Sequence, residues 1–490
     1  MDGLGKKFRL ADDFNQASLG QYQMLPSRFI RLDGDRYVMT NETGEFLIVT
    51  RLQLEQFVRK TVPLNSDYYY DLKSKHFLID DDSNVAIDLL SLKYRTKAQR
   101  ISQFTALHLF VVSLRCDYSC KYCQVSRQTD DKLAYDMNKE TADLSMDFMF
   151  RSPSVAMKIE FQGGEPLLNF QIIRYLVEET KERNRKHGKD LQFVITTNLS
   201  LLTDEILAFC LTHDISLSTS LDGPENLHNQ NRPRPGRNGY QLTVEGIRKA
   251  QTTLGRDKVG ALMTTTEASL PRVREIIDTY LSLDIEGVFL RPLSPYGFAI
   301  KNQQAYKYDV DRWFEFYKEG LDYVLEINRK GHPFVELYAA LIMNKIFSPF
   351  GTGYVDLQSP SGMAISAIVY NYDGDIYASD EARMLAEMGD KKFRLGSVYH
   401  DSYEDVMLSN TVLDTLESTL SESLPMCNDC GFLPYCGTDP VYHYATQKDP
   451  IGHKALSGFC GKNMKIIRYI FTLLEDDPDA RRILLGWIRP

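Results

Sequence analysis

Three cysteines, Cys116, Cys120 and Cys123, stand in Cys-x3-Cys-x2-Cys order within LRCDYSCKYCQVS. Thiolates at this spacing can wrap one cuboidal iron–sulfur cluster through a single tight loop. A 4Fe–4S cube takes four ligands, most often cysteine, so three leave one iron free for something else. That is how a catalytic metal keeps a vacant position. A structural zinc or chance spacing is the bland alternative. A second group, Cys427, Cys430, Cys436 and Cys460, is complete in itself, since four thiolates close one cluster or one tetrahedral zinc site. The eighth cysteine, Cys210, sits alone in the helical stretch EILAFCL and reads as a buried thiol. His443 and His453 lie between Cys436 and Cys460 and read as packed or hydrogen-bonded side chains, because four cysteines already suffice.

The elements that must hold these groups follow from composition and periodicity. A chain of 490 residues is too long for one core and calls for two or three domains. Hydrophobic residues at 43% and charged residues at 25% are an ordinary globular balance. A formal charge of −9 argues against a broad nucleic-acid footprint. The opening MDGLGKKFRL lacks the apolar core of a secretory signal, and no stretch reaches the roughly 18–20 apolar residues of a membrane span. The expected compartment is the cytoplasm, with no membrane partner. Thiols stay reduced there, which favours metal ligation over disulfides.

Three regions differ in texture. Residues 1–100 carry short strands, with a hairpin from Phe29 to Tyr37 turning at Asp33-Gly34, a strand over 44–49, and helices over 52–58 and 70–77, giving a small α+β module. The run Tyr68-Tyr69-Tyr70 reads as part packing, part surface. Residues 101–345 alternate strands (107–113, 156–161, 191–196, 215–221, 258–264, 286–291) with helices (140–150, 169–185, 203–212, 240–252, 270–283), and end in helices over 310–345. Alternation of this kind predicts a parallel α/β sheet covered on both faces, and six units suit a partial (β/α)6 barrel with its chemistry on the loops after the strands. Residues 346–490 form a loop-rich C-terminal domain with a hairpin turning at Asp373-Gly374, the second cysteine group and an amphipathic helix near 461–475.

The first motif follows the first barrel strand directly and has an aromatic, Tyr122, before its last cysteine. In this it resembles the radical S-adenosylmethionine (SAM) superfamily. The resemblance implies a 4Fe–4S cluster whose open iron takes the amino and carboxylate groups of SAM. Reductive cleavage then yields a 5′-deoxyadenosyl radical that abstracts a hydrogen atom. Gln162-Gly163-Gly164-Glu165-Pro166 is similar to the family's GGEP segment, which contacts the methionine amino group. Its glycines are expected to let backbone approach the ligand, and Glu165 to meet an ammonium or act structurally. Thr197-Asn198 and Ser220-Leu221-Asp222-Gly223 resemble segments near the ribose and methionine, implying Asn198, Ser220 and Asp222 as cofactor contacts; ordinary turn chemistry is the alternative. Arg232 pairs with the cofactor carboxylate or belongs to a solvated basic loop.

CNDCGFLPYC…GFC resembles the SPASM extension of peptide-modifying radical enzymes. That extension usually carries two auxiliary clusters. Cysteines expected near Ser361-Gly362, around Ser379-Asp380 and near Thr438-Asp439 are absent, and these belong to the inner cluster. The resemblance therefore implies one auxiliary 4Fe–4S cluster on Cys427, Cys430, Cys436 and Cys460. Ser361, Ser379, Asp380 or Asp439 as oxygen ligands of a second one, and zinc at the outer four, remain alternatives. Asp380 occupies a place similar to the base of anaerobic sulfatase maturases, or caps the following helix. The segments YQMLPSRFIRLDGDRYVMT, RSPSVAMKIEFQGGEPLLNF and FLRPLSPYGFA look like those of the His-Xaa-Ser system maturases, B-type. This implies a ribosomal precursor peptide with a leader as substrate, captured by the N-terminal module through strand addition, or else a module that only caps the barrel. A flavodoxin- or ferredoxin-type reductant and a second radical SAM enzyme are the implied partners. The product is a crosslink or an epimer. A protein-modifying maturase of the sulfatase type and a catalytically silent Fe–S partner protein are the competing readings.

Overall fold

The computed structural model describes residues 22–81, 85–304 and 307–488, so the opening decapeptide read above lies outside the described residues. The described residues form two compact units, one within 22–96 together with 429–434, the other within 97–428 together with 435–488.

In the first unit, β1 (Ser27–Asp33), β2 (Arg36–Asn41) and β3 (Phe46–Thr50) form an antiparallel sheet in that order, and the hairpin turns at the expected Asp33-Gly34. Thr50 ends β3 and caps the helix Arg51–Val58 in a reciprocal arrangement with Gln53, satisfying two helix-end donors at once. Met39, Val49, Leu54, Phe57, Tyr69 and Leu72 make the core. Of the tyrosine run, Tyr69 is buried and Tyr70 exposed. The helix Val85–Ala98 buries no residue, which is why its sequence carries no clear apolar stripe.

The second unit is built on an eight-stranded sheet. Its parallel part is β4 (Leu107–Ser113), β5 (Ala156–Gly163), β6 (Asp190–Thr197), β7 (Ile215–Ser220) and β8 (Val259–Leu262), adjacent in chain order. Helices Lys139–Met149, Phe170–His187, Asp204–His213 and Gly239–Leu254 connect them, and Val273–Ser282 follows β8. This is the expected parallel α/β arrangement of strands and covering helices. The sixth strand is shorter than expected. Gly287–Val288 pairs with Val335–Glu336 in a separate two-stranded sheet and reaches the segment after β8 through one backbone bond, Thr265 N–H to the Arg291 carbonyl, at 2.9 Å. The reason is local. The buried Glu336 carboxylate takes the Leu290 N–H (3.3 Å), the Ala339 N–H (2.7 Å) and the Tyr317 hydroxyl (2.6 Å). One side chain thus stands in for a ladder partner while capping the helix Leu337–Phe347.

On its other side, β4 pairs in parallel with β9 (Ala367–Tyr370), which turns at Asp373-Gly374 into β10 (Asp375–Tyr377) and β11 (Arg394–Ser397). Much of the region expected to stand apart as 346–490 therefore shares the barrel's own sheet and compact unit. His108 on β4 joins the two parts. Its Nε2 lies 3.1 Å from the Thr105 carbonyl, which can only accept, so Nε2 carries the proton and Nδ1 accepts from the Tyr370 hydroxyl at 3.1 Å.

The ends of β4 and β5 meet backbone to backbone. Gly164 N–H donates to the Ser113 carbonyl (2.8 Å) and Glu165 N–H to the Arg115 carbonyl (2.7 Å). A Cβ on Gly163 would overlap the Ser113 carbonyl oxygen, and one on Gly164 would lie 2.7 Å from that of Leu114. The close approach these glycines permit is thus to the strand bearing the first cysteine motif, which revises the expectation that they serve the ligand alone.

Two expectations follow. Burial lowers the His108 pKa to about 3, well below its ordinary 6.5. The neutral ring's contribution is complete above pH 6.5 and is lost as pH falls toward 3, because only the unfolded chain readily takes the proton. Wild-type protein should lose about 2 kcal/mol of stability to this residue by pH 5. His108→Gln should flatten that slope in urea melts between pH 7 and pH 5. Gly164→Ala should cost about 3 kcal/mol, since the obstructing atoms are backbone and cannot rotate away; a fall in the urea midpoint at unchanged m reads it.

Candidate functional site

The loop after β4 is clamped before it carries any ligand. Leu114 N–H donates to the Tyr135 carbonyl (3.0 Å), Gln128 N–H to Leu114 (2.9 Å) and Met137 N–H to Val112 (2.9 Å). Arg115, with a side chain only 2% exposed, grips Asp136 through Nε (2.8 Å) and Nη2 (2.7 Å) and reaches Asp130 through Nη1 (2.8 Å). A planar guanidinium matches a carboxylate in two parallel bonds, so this pair fixes orientation as well as proximity. Within the loop, Cys123 N–H donates to the Cys120 carbonyl (3.2 Å), Ser119 N–H to Pro233 (2.8 Å) and Phe298 N–H to the Cys123 carbonyl (2.7 Å). The cysteine turn is therefore pinned from both flanks.

Cys116, Cys120 and Cys123 are all free thiols, half-buried at the C-terminal end of β4. Tyr118 N–H donates to Cys116 Sγ at 3.5 Å. Burial pushes the Cys116 thiol well up and that of Cys120 to about 12, with Arg232 pulling Cys120 back down. Thiolate there needs a compensating cation, which an iron–sulfur centre supplies. Among the described residues no three His, Cys, Asp or Glu side chains are already drawn up to metal-ligating distance. The donor set still fits a cube with one open iron: three soft ligands on one pinned turn, each within electrostatic reach of the next.

Behind the turn stands a buried assembly. Asp222, fully buried, accepts from the Tyr122 hydroxyl (2.6 Å) and from Arg232 Nε (3.1 Å). The Arg232 guanidinium also lies over the Tyr122 ring at 5.4 Å. Arg232 is thus an ion-paired interior residue, and the solvated-loop alternative does not hold. Glu165, also fully buried, accepts from Thr197 Oγ1 (2.6 Å), Asn198 N–H (2.8 Å) and Leu167 N–H (3.0 Å), while burial pushes its pKa up to about 7. It ties the end of β5 to the end of β6. Asn198 Nδ2 donates to Asp117 (2.8 Å), which also takes Ser200 Oγ (2.7 Å) and Arg234 Nε (3.0 Å). Asp117 was not anticipated from sequence, although its place inside the cysteine motif was a signal. The Ser220 hydroxyl ends β7 with no partner among the described residues.

Gln162 Nε2 donates to Asp380 Oδ1 at 2.9 Å, and Arg383 Nη2 donates to the same oxygen at 2.6 Å. The helix Asp380–Ala386 is capped by Ser379, whose hydroxyl takes the Ala382 N–H (3.2 Å), so the capping alternative for Asp380 is corrected. Of the second cysteine group, Cys427 and Cys436 are within electrostatic reach of one another, and Lys454 faces Cys427, Cys460 and Cys436. Asn463 Nδ2 donates to Cys436 Sγ at 3.5 Å. Cys430, three positions after Cys427, belongs to the other compact unit. His443 is buried with Nε2 2.8 Å from Ser457 Oγ, and Cys210 is buried and apolar in setting, as their sequence context suggested; His453 is exposed, which corrects the reading of it as a packed side chain. Among the described residues no helix is long and apolar enough to cross a membrane.

Residues 110–284 match the Radical SAM superfamily. The chain is 28% identical over 191 residues to the uncharacterized protein MJ0907 of Methanocaldococcus jannaschii, covering 38% of this chain and 63% of that one. It is 27% identical over 213 residues to the radical SAM cyclopropyl synthase TigE of Paramaledivibacter caminithermalis, covering 40% and 44%. It is 20% identical over 383 residues to the cysteine-type anaerobic sulfatase-maturating enzyme of Clostridium novyi, covering 74% and 95%. The chain thus spans less than two thirds of the length of the first two. Among solved structures, anSMEcpe with bound AdoMet superimposes with a TM-score of 0.62 at 17% identity, over 77% of this chain and all of that one. Streptococcus suis SuiB bound to the precursor peptide SuiA gives 0.50 at 14%, over 88% and 98%. These two likenesses concern the fold. The superfamily match covers the segment that carries the parallel strands, and the radical SAM α/β fold is the one shared with anSMEcpe.

Proposed function

We propose that this chain modifies a residue of a ribosomally made, leader-bearing precursor peptide, forming a crosslink or an epimer. The observation that carries the reading is the pinned three-thiol turn backed by Tyr122, Asp222 and Arg232 at the mouth of the barrel. When bound, SAM and the cluster supply a 5′-deoxyadenosyl radical that abstracts a hydrogen atom. The protein's part is position and exclusion of water. Cys116, Cys120 and Cys123 hold the cluster. Gln162, Gly163, Gly164, Glu165, Asn198, Ser220, Asp222 and Arg232 form the cofactor's surroundings, with Asp222 and Arg232 presenting a balanced charge pair beside the thiols. Asp380 serves as the proton acceptor; donors from Gln162 and Arg383 hold its carboxylate in one orientation. The C-terminal cysteines hold one auxiliary 4Fe–4S cluster, and Lys454 offsets thiolate charge there. The module of β1–β3 takes the leader by strand addition. A reductant of the flavodoxin or ferredoxin type and a second radical SAM enzyme are the proposed partners, and the cytoplasm the proposed compartment. Narrowly, the proposed activity is that of the B-type His-Xaa-Ser maturases, which the sequence segments quoted above resemble. A second reading, a maturase acting on a protein residue, is favoured by the 95% coverage of the Clostridium novyi sulfatase-maturating enzyme.

Anaerobically reconstituted protein should hold about 8 irons per chain, at about 4 per cube, and release 5′-deoxyadenosine from SAM under dithionite. The variant with Cys116, Cys120 and Cys123 all changed to Ala should keep about 4 irons and release none. About 12 irons would refute the single auxiliary cluster, and no 5′-deoxyadenosine from a fully loaded chain would refute the enzyme. Coexpression with the precursor peptide, read by mass spectrometry, separates a crosslink (loss of two hydrogens) from an epimer (deuterium uptake at unchanged composition).

A further inference from the structure

A cavity of about 330 Å3 opens beside Leu290–Ser294, past the last barrel strand. The same segment runs on to Phe298, whose N–H binds the Cys123 carbonyl, so one stretch of chain borders both the cavity and the cluster turn. The volume is at the small end of ligand cavities and suits one long side chain rather than an extended peptide.

The lining is unusual in its charges. Asp356, Glu381 and Asp439 face it together with Arg291 and Lys462. A structural ion network would close to hydrogen-bonding distance, and this one does not. The nearest approach of Arg291 to Glu381 is 3.9 Å. Lys462 Nζ lies over the rings of Tyr338 (4.8 Å) and Phe459 (5.1 Å) instead of on a carboxylate. Asp439 Oδ1 takes the Tyr442 N–H at 2.8 Å. Among the described residues, the side chains of Asp356, Glu381, Arg291 and Lys462 hold no hydrogen bond to any other residue. Trp313, 2% exposed, lines the same cavity, and its indole N–H has no acceptor. The five charged side chains are half-buried, Arg291 at 36% and Glu381 at 22% exposed, so water meets them in the cavity and a guest of the right charge would take its place; the Trp313 indole is the one donor here that is fully buried and unanswered among the described residues.

The balance of charge says which guest. Three carboxyl groups face two cations; burial raises the proton affinity of all three, with Glu381 pushed up to about 7, so part of the excess is held as bound protons that a cationic guest would displace, and Asp309 adds a further carboxylate at the exposed rim. An anion would leave the three carboxylates opposed by nothing new. An apolar guest would leave every polar group unmade. A cation answers the excess, and the rings of Tyr308, Tyr354 and Tyr442 offer its stem apolar surface and its head ring faces.

We propose that this cavity receives a lysine or arginine side chain of the peptide substrate, its charge held among Asp356, Glu381 and Asp439. Arg291 and the Trp313 indole are then the donors for the guest's main-chain carbonyl oxygens. The inference rests on the peptide-modifying reading above and names the residue type that docks beside the reacting centre.

The test uses full-length reconstituted protein and four capped amino acids: the N-acetyl methylamides of lysine, arginine, norleucine and glutamate, titrated by calorimetry or ligand-observed NMR. The lysine and arginine probes should bind about tenfold more tightly than norleucine, with glutamate weakest. Glu381→Gln and Asp356→Asn should each weaken the lysine probe about tenfold, and Lys462→Met, which removes the internal competitor, should strengthen it. If Asp356→Asn does not fold, Glu381→Gln, which caps no helix, decides alone. Equal binding of norleucine, preference for glutamate, unchanged affinity in the carboxylate variants, or no binding of either cationic probe would each overturn the proposal. Cleavage of SAM, measured on the same preparation, keeps the two readings apart: cleavage without cation preference sinks only this site, and cation preference without cleavage sinks only the enzyme.

Discussion

The arrangement of this protein depends on a fit between two strand ends with no side chain between them. Gly163 and Gly164 bring the end of β5 against the carbonyls of Ser113, Leu114 and Arg115, and two backbone bonds hold it there. Everything that follows in space is placed by this contact. Arg115, held by its own carbonyl, extends its guanidinium to Asp136 and Asp130 and closes the base of the cysteine loop. Glu165, the next residue on β5, turns inward to collect Thr197 and Asn198 from β6. Asn198 in turn holds Asp117, the residue after the first cysteine. The circuit returns to the loop where it started, so the three strand ends position the thiols jointly.

Electrostatics complete what the backbone begins. Two buried carboxylates flank the thiols with different partners. Glu165 meets three neutral donors and is pushed up by burial, while Asp222 meets a guanidinium and a phenol. Removing one member of a buried ion pair leaves an uncompensated charge, which ordinarily costs several kcal/mol, so Asp222 and Arg232 each depend on the other. From within the cysteine motif itself, Tyr122 donates its hydroxyl to the second oxygen of Asp222 and sets its ring under the Arg232 guanidinium, which gives the aromatic residue before the last cysteine a mechanical reason for being there.

Much of this was legible in the chain. The five consecutive barrel strands were announced by short Val-, Ile- and Phe-rich runs with helical stretches between, because a sheet covered on both faces needs continuous apolar segments. The cysteine spacings, the hairpin turns at Asp33-Gly34 and Asp373-Gly374, and the buried character of Cys210 and His443 were equally plain. What was hidden is non-local. Glu336 substitutes for a strand partner 46 residues away at Leu290, and no window of sequence reports that. Arg232 looks like part of a basic surface loop in HNQNRPRPGR until Asp222 is seen beside it. Asp356, Glu381, Arg291 and Lys462 carry no signal of their own in the sequence, and Asp439 stood out only as an alternative oxygen ligand for a cluster; only the tertiary fold gathers the five around one cavity.

The pairing of β4 with β9 has a practical corollary for anyone dissecting this molecule. A fragment ending near residue 345 would contain the five parallel strands but would strip β4 of its neighbour from Ala367 to Tyr370. The bared strand, LHLFVVS, is almost wholly apolar and has neither proline nor charge to guard it. Such an edge is a template for stacking onto other copies, so the excised barrel is expected to precipitate as intermolecular sheet. The C-terminal third is in this sense a chaperone for the central strand as well as a carrier of cysteines.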